Sequence, residues 1–336
     1  MMRLKTLFWF LLLPIVFSST VASIVPILQV SRLAQDADLV ILGEITSITG
    51  SDPHVGSNDR RYLVQAVIRV IDTVKGTTNL SSIEVRPSNQ IPIDMAASGL
   101  AIGEYRLFFL NSTNSGYVFT SPYYLSLPAA PGRKVNSSDI VTEVVGQLEN
   151  VINSGSHRGA KLEAIHALST VNTNAATNAL KGIATNDDIV VRFSGATELL
   201  RRNEISSFNF VQGVLVKPDS MPQYLIHNAN YAIRDGVKDP AAIPVLRSLL
   251  KHPSDETREA AAEALLHTGS SAAIPGLLTA LNDSNNEVRF IGVLGLSEIT
   301  QQRKERPTRG EFMNDQGRYL SYWSQWATTN GFPISQ

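Results

Sequence analysis

No cysteine occurs among the 336 residues. Disulfides, cysteine-held zinc and a lipid attached to a cysteine are excluded by that single absence. Charge of one sign is lacking too: 29 lysines and arginines face 30 aspartates and glutamates, a balance that favours neither nucleic acid nor an acidic membrane surface as partner. Signatures of chemistry are also missing. There is no H-E-x-x-H, no G-x-S-x-G and no phosphate loop, and the histidines at 54, 157, 166, 227, 252 and 267 show no ligand spacing. No catalytic residue, metal site or cofactor is implied.

What is present begins with a leader. Arg3 and Lys5 precede an apolar run from Leu7 to Phe17, and small residues follow from Ser18 to Ala22. That arrangement predicts a secretory signal peptide over 1–22, cut after Ala22. An uncleaved anchor is the alternative, but the run is short against the roughly 20 residues a span needs. Export without cysteine points to a bacterial envelope or extracellular location, with membrane attachment only if the signal is retained.

Residues 24–125 read as a β-rich domain. A short amphipathic helix carries Ile27, Val30, Leu33 and Ala34, and strands are predicted at 38–48, 62–74, 82–86, 104–110 and 117–120. Five strands with short connections favour a small closed barrel or sandwich, because closure removes exposed edges. The fragments Ala37-Asp38-Leu39-Val40 with Gly43-Glu44-Ile45, Val74-Lys75-Gly76, and Gly103 to Leu110 resemble the secreted bacterial relatives of the netrin and metalloproteinase-inhibitor barrel, an OB-like fold. In those inhibitors a disulfide-tied N-terminal cysteine presents its amine to zinc; this chain has none, so only the barrel carries over. On a structural reading, Gly43 and Gly103 relieve crowding, and Lys75-Gly76 closes a hairpin.

Residues 126–137 turn to proline, glycine and basic residues and predict a linker. Ser138 and Asp139 can then cap a helix whose stripe runs from Ile140 through Val144, Leu148 and Val151 to Ile152.

From Ala241 the chain repeats itself. Ile243 and Ile274, Pro244 and Pro275, Leu246 and Leu277, Arg258 and Arg289, Leu265 and Leu296 each differ by 31. A period near thirty built from two helices and a turn is the mark of an α-solenoid. A step of 66 back from Arg258 reaches Arg192 and another 31 reaches Lys161, with an eroded unit between about 203 and 238. The pattern resembles HEAT repeats, in particular the short kind first described in bilin lyases, and it spans 138–300 with the first helix. The overall expectation is an α+β two-domain protein: a small OB-like barrel followed by an all-α HEAT-like solenoid. A lyase function does not come with the scaffold.

In that family the second helix of each pair lines one face, so Lys161, Arg192, Arg258 and Arg289 are expected to form a ladder there. Two readings stand: a row facing a protein partner, or cations that bond turn carboxylates such as Asp188 and Asp255. The eroded unit, departing from the stacking pattern, is the better place to look for something specific. Residues 301–336 predict a charged loop and a capping helix with Tyr319, Trp323 and Trp326 on one face.

The function expected is an exported, non-enzymatic scaffold that binds a protein. The alternatives are a protease inhibitor acting through the barrel, or a cell-wall or carbohydrate binder using Tyr117, Tyr123 and Tyr124 or the terminal tryptophans.

Overall fold

The computed structural model describes residues 28–332, apart from 51–60, 63, 87–90, 93–99, 122–123, 133–136 and 219–220. The expected signal peptide at 1–22, Ile27, His54, Tyr123 and residues 133–136 of the expected linker lie outside the described residues.

Helix α1 (Val30–Asp36) leads into β1 (Leu39–Gly50), β2 (Val64–Lys75), β3 (Ser82–Arg86), β4 (Tyr105–Thr113), β5 (Gly116–Phe119) and β6 (Ser126–Pro128). The first five close in the order β1-β2-β3-β5-β4 and back to β1, with β3 parallel to β5 and every other neighbour antiparallel. Three register shifts along β1 bend it so that one strand serves both β2 and β4. Where β1 turns, Gly43 has no room for a side chain: a Cβ there would sit 2.3 Å from Ile68 Cγ2. Gly103 differs from its expected role. Nothing lies within 4 Å of its Cβ position, and its φ of +86° is what calls for glycine.

The runs Leu39-Val40-Ile41-Leu42 and Leu107-Phe108-Phe109-Leu110 are apolar without alternation because both faces of these strands are buried. Leu39, Ile41, Phe108 and Leu110 point into the barrel with Ile45, Ile68, Ile83 and Phe119. Val40, Leu42, Leu107 and Phe109 point outward and pack with Leu33 of α1 and with Val144, Leu148 and Val151 of α2 (Ile140–Asn153). Barrel and solenoid thus share one apolar cluster. Each large side chain fully buried there contributes about 1.5–3 kcal/mol. The stretch expected as a linker begins inside this arrangement: Ser126–Pro128 pairs with Arg106, Leu107 and Phe108 of β4, and Leu127, Ala129 and Ala130 are buried.

The helical stack contains five pairs: α2 with α3 (Arg158–Ser169), α4 (Asn174–Gly182) with α5 (Ile189–Arg201), α6 (Phe208–Val216) with α7 (Gln223–Gly236), α8 (Ile243–Leu249) with α9 (Asp255–His267), and α10 (Ile274–Ala280) with α11 (Asn286–Ile299). Second helices contact one another in the unbroken series α3, α5, α7, α9, α11. Ala260, Ala261, Ala262 and Ala264, all buried, allow that close approach. Pro244 and Pro275 lie in the first turns of α8 and α10, where no N–H is needed. Asn285 caps α11 by accepting from Glu287 N and Val288 N. Asp255, expected as a turn carboxylate, is the first residue of α9 and bonds the side chains of Arg258 and Asn285.

The eroded unit is a complete helical pair, α6 with α7. The stack ends in α12 (Arg309–Asn314), opened by a Thr308/Glu311 capping box, and α13 (Gln316–Thr329). Trp323 is fully buried, Tyr319 nearly so, and Trp326 meets Trp323 edge-on at 5.5 Å. These rings cover the apolar end of the last repeat.

Candidate functional site

The four ladder cations do different jobs. Arg258 is clamped: Nε bonds Asp283 Oδ2 at 2.8 Å, Nη2 bonds Asp255 Oδ1 at 2.7 Å, and Nη1 donates to the carbonyls of His252 and Pro253. Arg289 donates from Nη1 to the carbonyls of Asp283 and Ser284, and from Nη2 to Gln316 at 2.9 Å. Arg192 stacks its guanidinium 4.5 Å above the Phe210 ring. Lys161 makes no ion pair among the described residues, and Asp188, an expected partner of the ladder, is bonded by Arg158 instead. Burial, the largest single influence, pushes the Asp188 carboxyl up, but the Arg158 contact and two backbone N–H donors together outweigh it and hold the carboxyl below the usual aspartate range. In two of four positions, therefore, the guanidinium ties an inter-helix turn to the next unit.

The outward row of α7 is different in character. A helix places residues i, i+3, i+4 and i+7 on one face, and here these are Tyr224, His227, Asn228 and Tyr231, continued by Arg234 and Asp235. Tyr224 is 55% exposed and Tyr231 47% exposed, and among the described residues these are the two exposed large aromatics. On one flank α9 presents carboxylates: His227 Nδ1 lies 2.7 Å from Glu256, and Arg234 Nε lies 3.4 Å from Glu263. On the other flank Arg201 of α5 donates to the Asn228 carbonyl at 3.4 Å. Burial of Glu263 raises its pKa despite Arg234 and His267, and burial together with Glu287, Asp255 and Glu263 raises that of Glu259.

Beside this row lies a groove of about 950 Å³ lined by His166, Glu198, Arg201, Arg202, Asn228 and Asp235 among others. Burial raises the pKa of Glu198, opposed by Arg201, His166 and Arg202. Arg202 is structural. It donates to the carbonyls of Leu168 at 2.7 Å and Val171 at 2.9 Å, closing the end of α3.

A second cleft, about 590 Å³, sits between barrel and solenoid. At its base Arg106, 5% exposed, donates to Ser126 Oγ at 2.6 Å and to Glu163 of α3, with Glu104 at 3.5 Å. Sequence reasoning passed over this residue. Its signal is a lone arginine at the head of an apolar strand, which demands a buried counter-charge.

Residues 217–297 match a family model described as HEAT repeats. The match begins at the end of α6 and covers α7 to α11, and the same pairing of helices continues upstream of it. HEAT repeats are generally protein-interaction scaffolds and generally non-enzymatic. No curated protein matches the chain. Among the described residues no three histidines, aspartates or glutamates gather where they could hold a metal, and no helix is long and apolar enough to cross a membrane.

The other expected surfaces are occupied. From Leu28 the N-terminal segment is packed in, with Val30 N donating to Thr170 Oγ1 and Leu28, Val30 and Leu33 buried. Tyr117 packs on the barrel core and Tyr124 on the shared cluster.

Proposed function

We propose that the protein is an exported, non-enzymatic scaffold that binds a protein partner of the bacterial envelope through the face built by its second helices, centred on α7. The observation that carries this reading is the pair Tyr224 and Tyr231, standing exposed seven residues apart on one helix, whereas the aromatic rings of the other second helices, Phe193 and Phe290, are buried. Exposed tyrosines beside arginine and carboxylates have the composition of an interface hot spot. Export rests on the leader residues Arg3, Lys5 and the run from Leu7 to Phe17. The inhibitor reading has against it the burial of the chain from Leu28, and the carbohydrate reading has against it the burial of Trp323.

The test is site-specific photocrosslinking in the native host, with the reactive group placed in turn at Tyr224, at Tyr231 and at Leu80, an exposed residue of the barrel domain. One and the same envelope protein should be captured from the first two positions and not from the third. No adduct at either tyrosine, or the same adducts from Leu80, would overturn the reading. N-terminal sequencing of the mature chain should begin at Ser23; a full-length chain in the cytoplasm would remove export.

A further inference from the structure

We infer that the α7–α9 face receives an arginine-bearing segment of the partner, one guanidinium stacked on Tyr224 beside the carboxylate of Glu256 and the segment running along the acidic row of α9. The inference rests on the scaffold reading above and names the chemistry of what is bound.

The face is built from two similar rungs seven residues apart. In the upper rung, Arg234 lies over the Tyr231 ring at 4.4 Å, bonds Asp235 through Nε at 2.9 Å and Nη2 at 3.2 Å, and approaches Glu263 at 3.4 Å. An aromatic face and carboxylates thus hold one guanidinium of the chain itself. Seven residues earlier on both helices stand Tyr224, His227, Asn228 and Glu256. The aromatic ring and the α9 carboxylate recur, but the guanidinium does not: His227, its Nδ1 2.7 Å from Glu256, takes the place of Arg234, and Asn228 that of Asp235. Tyr224 is the more exposed of the two rings.

Charge supports the same occupant. Asp255, Glu256, Glu259 and Glu263 follow one another along α9, while its one arginine, Arg258, is turned inward and spent on Asp255 and Asp283. Glu259 meets Asn285 at 3.0 Å and no cation among the described residues. Its pKa is raised by burial and by the carboxylates of Glu287, Asp255 and Glu263. A cation laid along this helix removes repulsion that the folded chain now carries. Arginine suits the site better than lysine, because a planar guanidinium both stacks on a ring and bonds a carboxylate in the same pose.

The experiment is fluorescence anisotropy with the purified chain and three labelled peptides of about ten residues, alternating alanine with arginine, with lysine or with glutamate. The arginine peptide should bind, the lysine peptide several-fold more weakly, and the glutamate peptide not at all. Tyr224→Ala, and separately Glu256→Gln with Glu259→Gln, should each weaken the arginine peptide about tenfold, a loss of about 1.4 kcal/mol. Asp36→Asn, at an exposed side chain of α1, should leave binding unchanged and controls for general charge. Circular dichroism confirms that each variant is folded. Equal binding by wild type and the α7–α9 variants, or equal binding of arginine and lysine peptides without dependence on Tyr224, overturns the inference. So does a dimer dissolved by Tyr224→Ala, since a second copy would then cover the face. If a host protein crosslinks at Tyr224 while the arginine peptide fails to bind, the docking face stands and the guanidinium chemistry falls. If neither occurs, both fall.

Discussion

Arg258 and Arg289 make the same contact one repeat apart: each directs Nη1 back to the carbonyl oxygens six and five residues before it, His252 and Pro253 for the first, Asp283 and Ser284 for the second. The carbonyls belong to the turn that precedes each second helix, so the guanidinium closes the turn from within. Each then reaches onward, Arg258 to Asp283 and Arg289 to Gln316. Repetition of this residue at a spacing of 31 thus records a joint between units.

The two joints differ in burial, which sets what their loss should cost. The side chains of Arg258 and Asp283 are 10% and 9% exposed, so Arg258→Ala strands a buried carboxylate and should lower unfolding stability by about 3 kcal/mol. Arg289 is half-buried and its onward partner is a neutral amide; Arg289→Ala should cost about 1 kcal/mol. Urea titration of both variants measures the difference. Equal losses would mean that the turn carbonyls, common to both, carry the whole effect.

Glu259 gives the opposite sign. Burial, then the neighbouring carboxylates, raises its folded pKa above the unfolded value, so ionisation of this group opposes folding. Its contribution is most favourable below the usual glutamate range and is lost as pH rises through the raised folded value. Glu259→Gln keeps an acceptor for Asn285 and removes the charge. The variant should be more stable than wild type at neutral pH, and the gap should close as pH falls into the usual glutamate range. A gap that widens in acid would show that Glu259 is stabilised as an anion.

Much of this was legible from residue patterns, and the limits have physical causes. The unbroken apolar runs at 39–42 and 107–110 announced strands, but that their second face meets Leu148 and Val151 of α2 depends on contacts across some forty to a hundred residues, which periodicity does not encode. Ser126–Pro128 hid in a proline- and alanine-rich stretch because three residues carry no period. The 31-residue spacing exposed Arg258 and Arg289, yet the steps of 66 and then 31 back to Arg192 and Lys161 did not bring the same partners, since position on a helix fixes a direction and the neighbouring turn fixes what is met. At the α7 face the useful signal was departure from the repeat: the unit between 203 and 238 lost the stacking consensus and carries both exposed tyrosines.

Lys75 shows how a motif can be read correctly in place and incompletely in role. With Gly76 it ends β2, but its ammonium also collects the carbonyls of Ala34 at 3.2 Å, Gln35 at 2.8 Å and Ala37 at 2.6 Å, closing the end of α1 where the helix dipole is negative. Helix α1 lies against both β1 and α2, so this contact fixes a wedge of the barrel–solenoid junction. Lys75→Met keeps the stem and deletes the charge. It should cost about 2 kcal/mol and speed hydrogen exchange in α1 selectively, leaving α9 and α11 amides unchanged. Uniform acceleration across the chain would place the effect on global stability instead.

Gly236 sets how closely the tyrosine-bearing helix sits on its neighbour. A Cβ at this position would lie 2.3 Å from the Leu200 carbonyl oxygen and 2.5 Å from Arg201 Cα, both backbone atoms of α5 that cannot rotate aside. Just beyond, Asn203, at φ 58°, accepts from Lys238 N at 2.7 Å and Asp239 N at 2.9 Å, locking the ends of α5 and α7 together. Gly236→Ala should therefore cost about 2–3 kcal/mol by forcing these helices apart. In Gly213 of α6, where nothing lies within 4 Å, the same change should stabilise by about 0.5–1 kcal/mol through helix propensity. Denaturant titration of the pair separates crowding from propensity, because both variants gain the same methyl group in a helix. A stabilised Gly236→Ala would mean that α7 can slide along α5, and the spacing between the tyrosine row and Arg201 would then be adjustable; a destabilised one fixes that row rigidly for whatever docks on it.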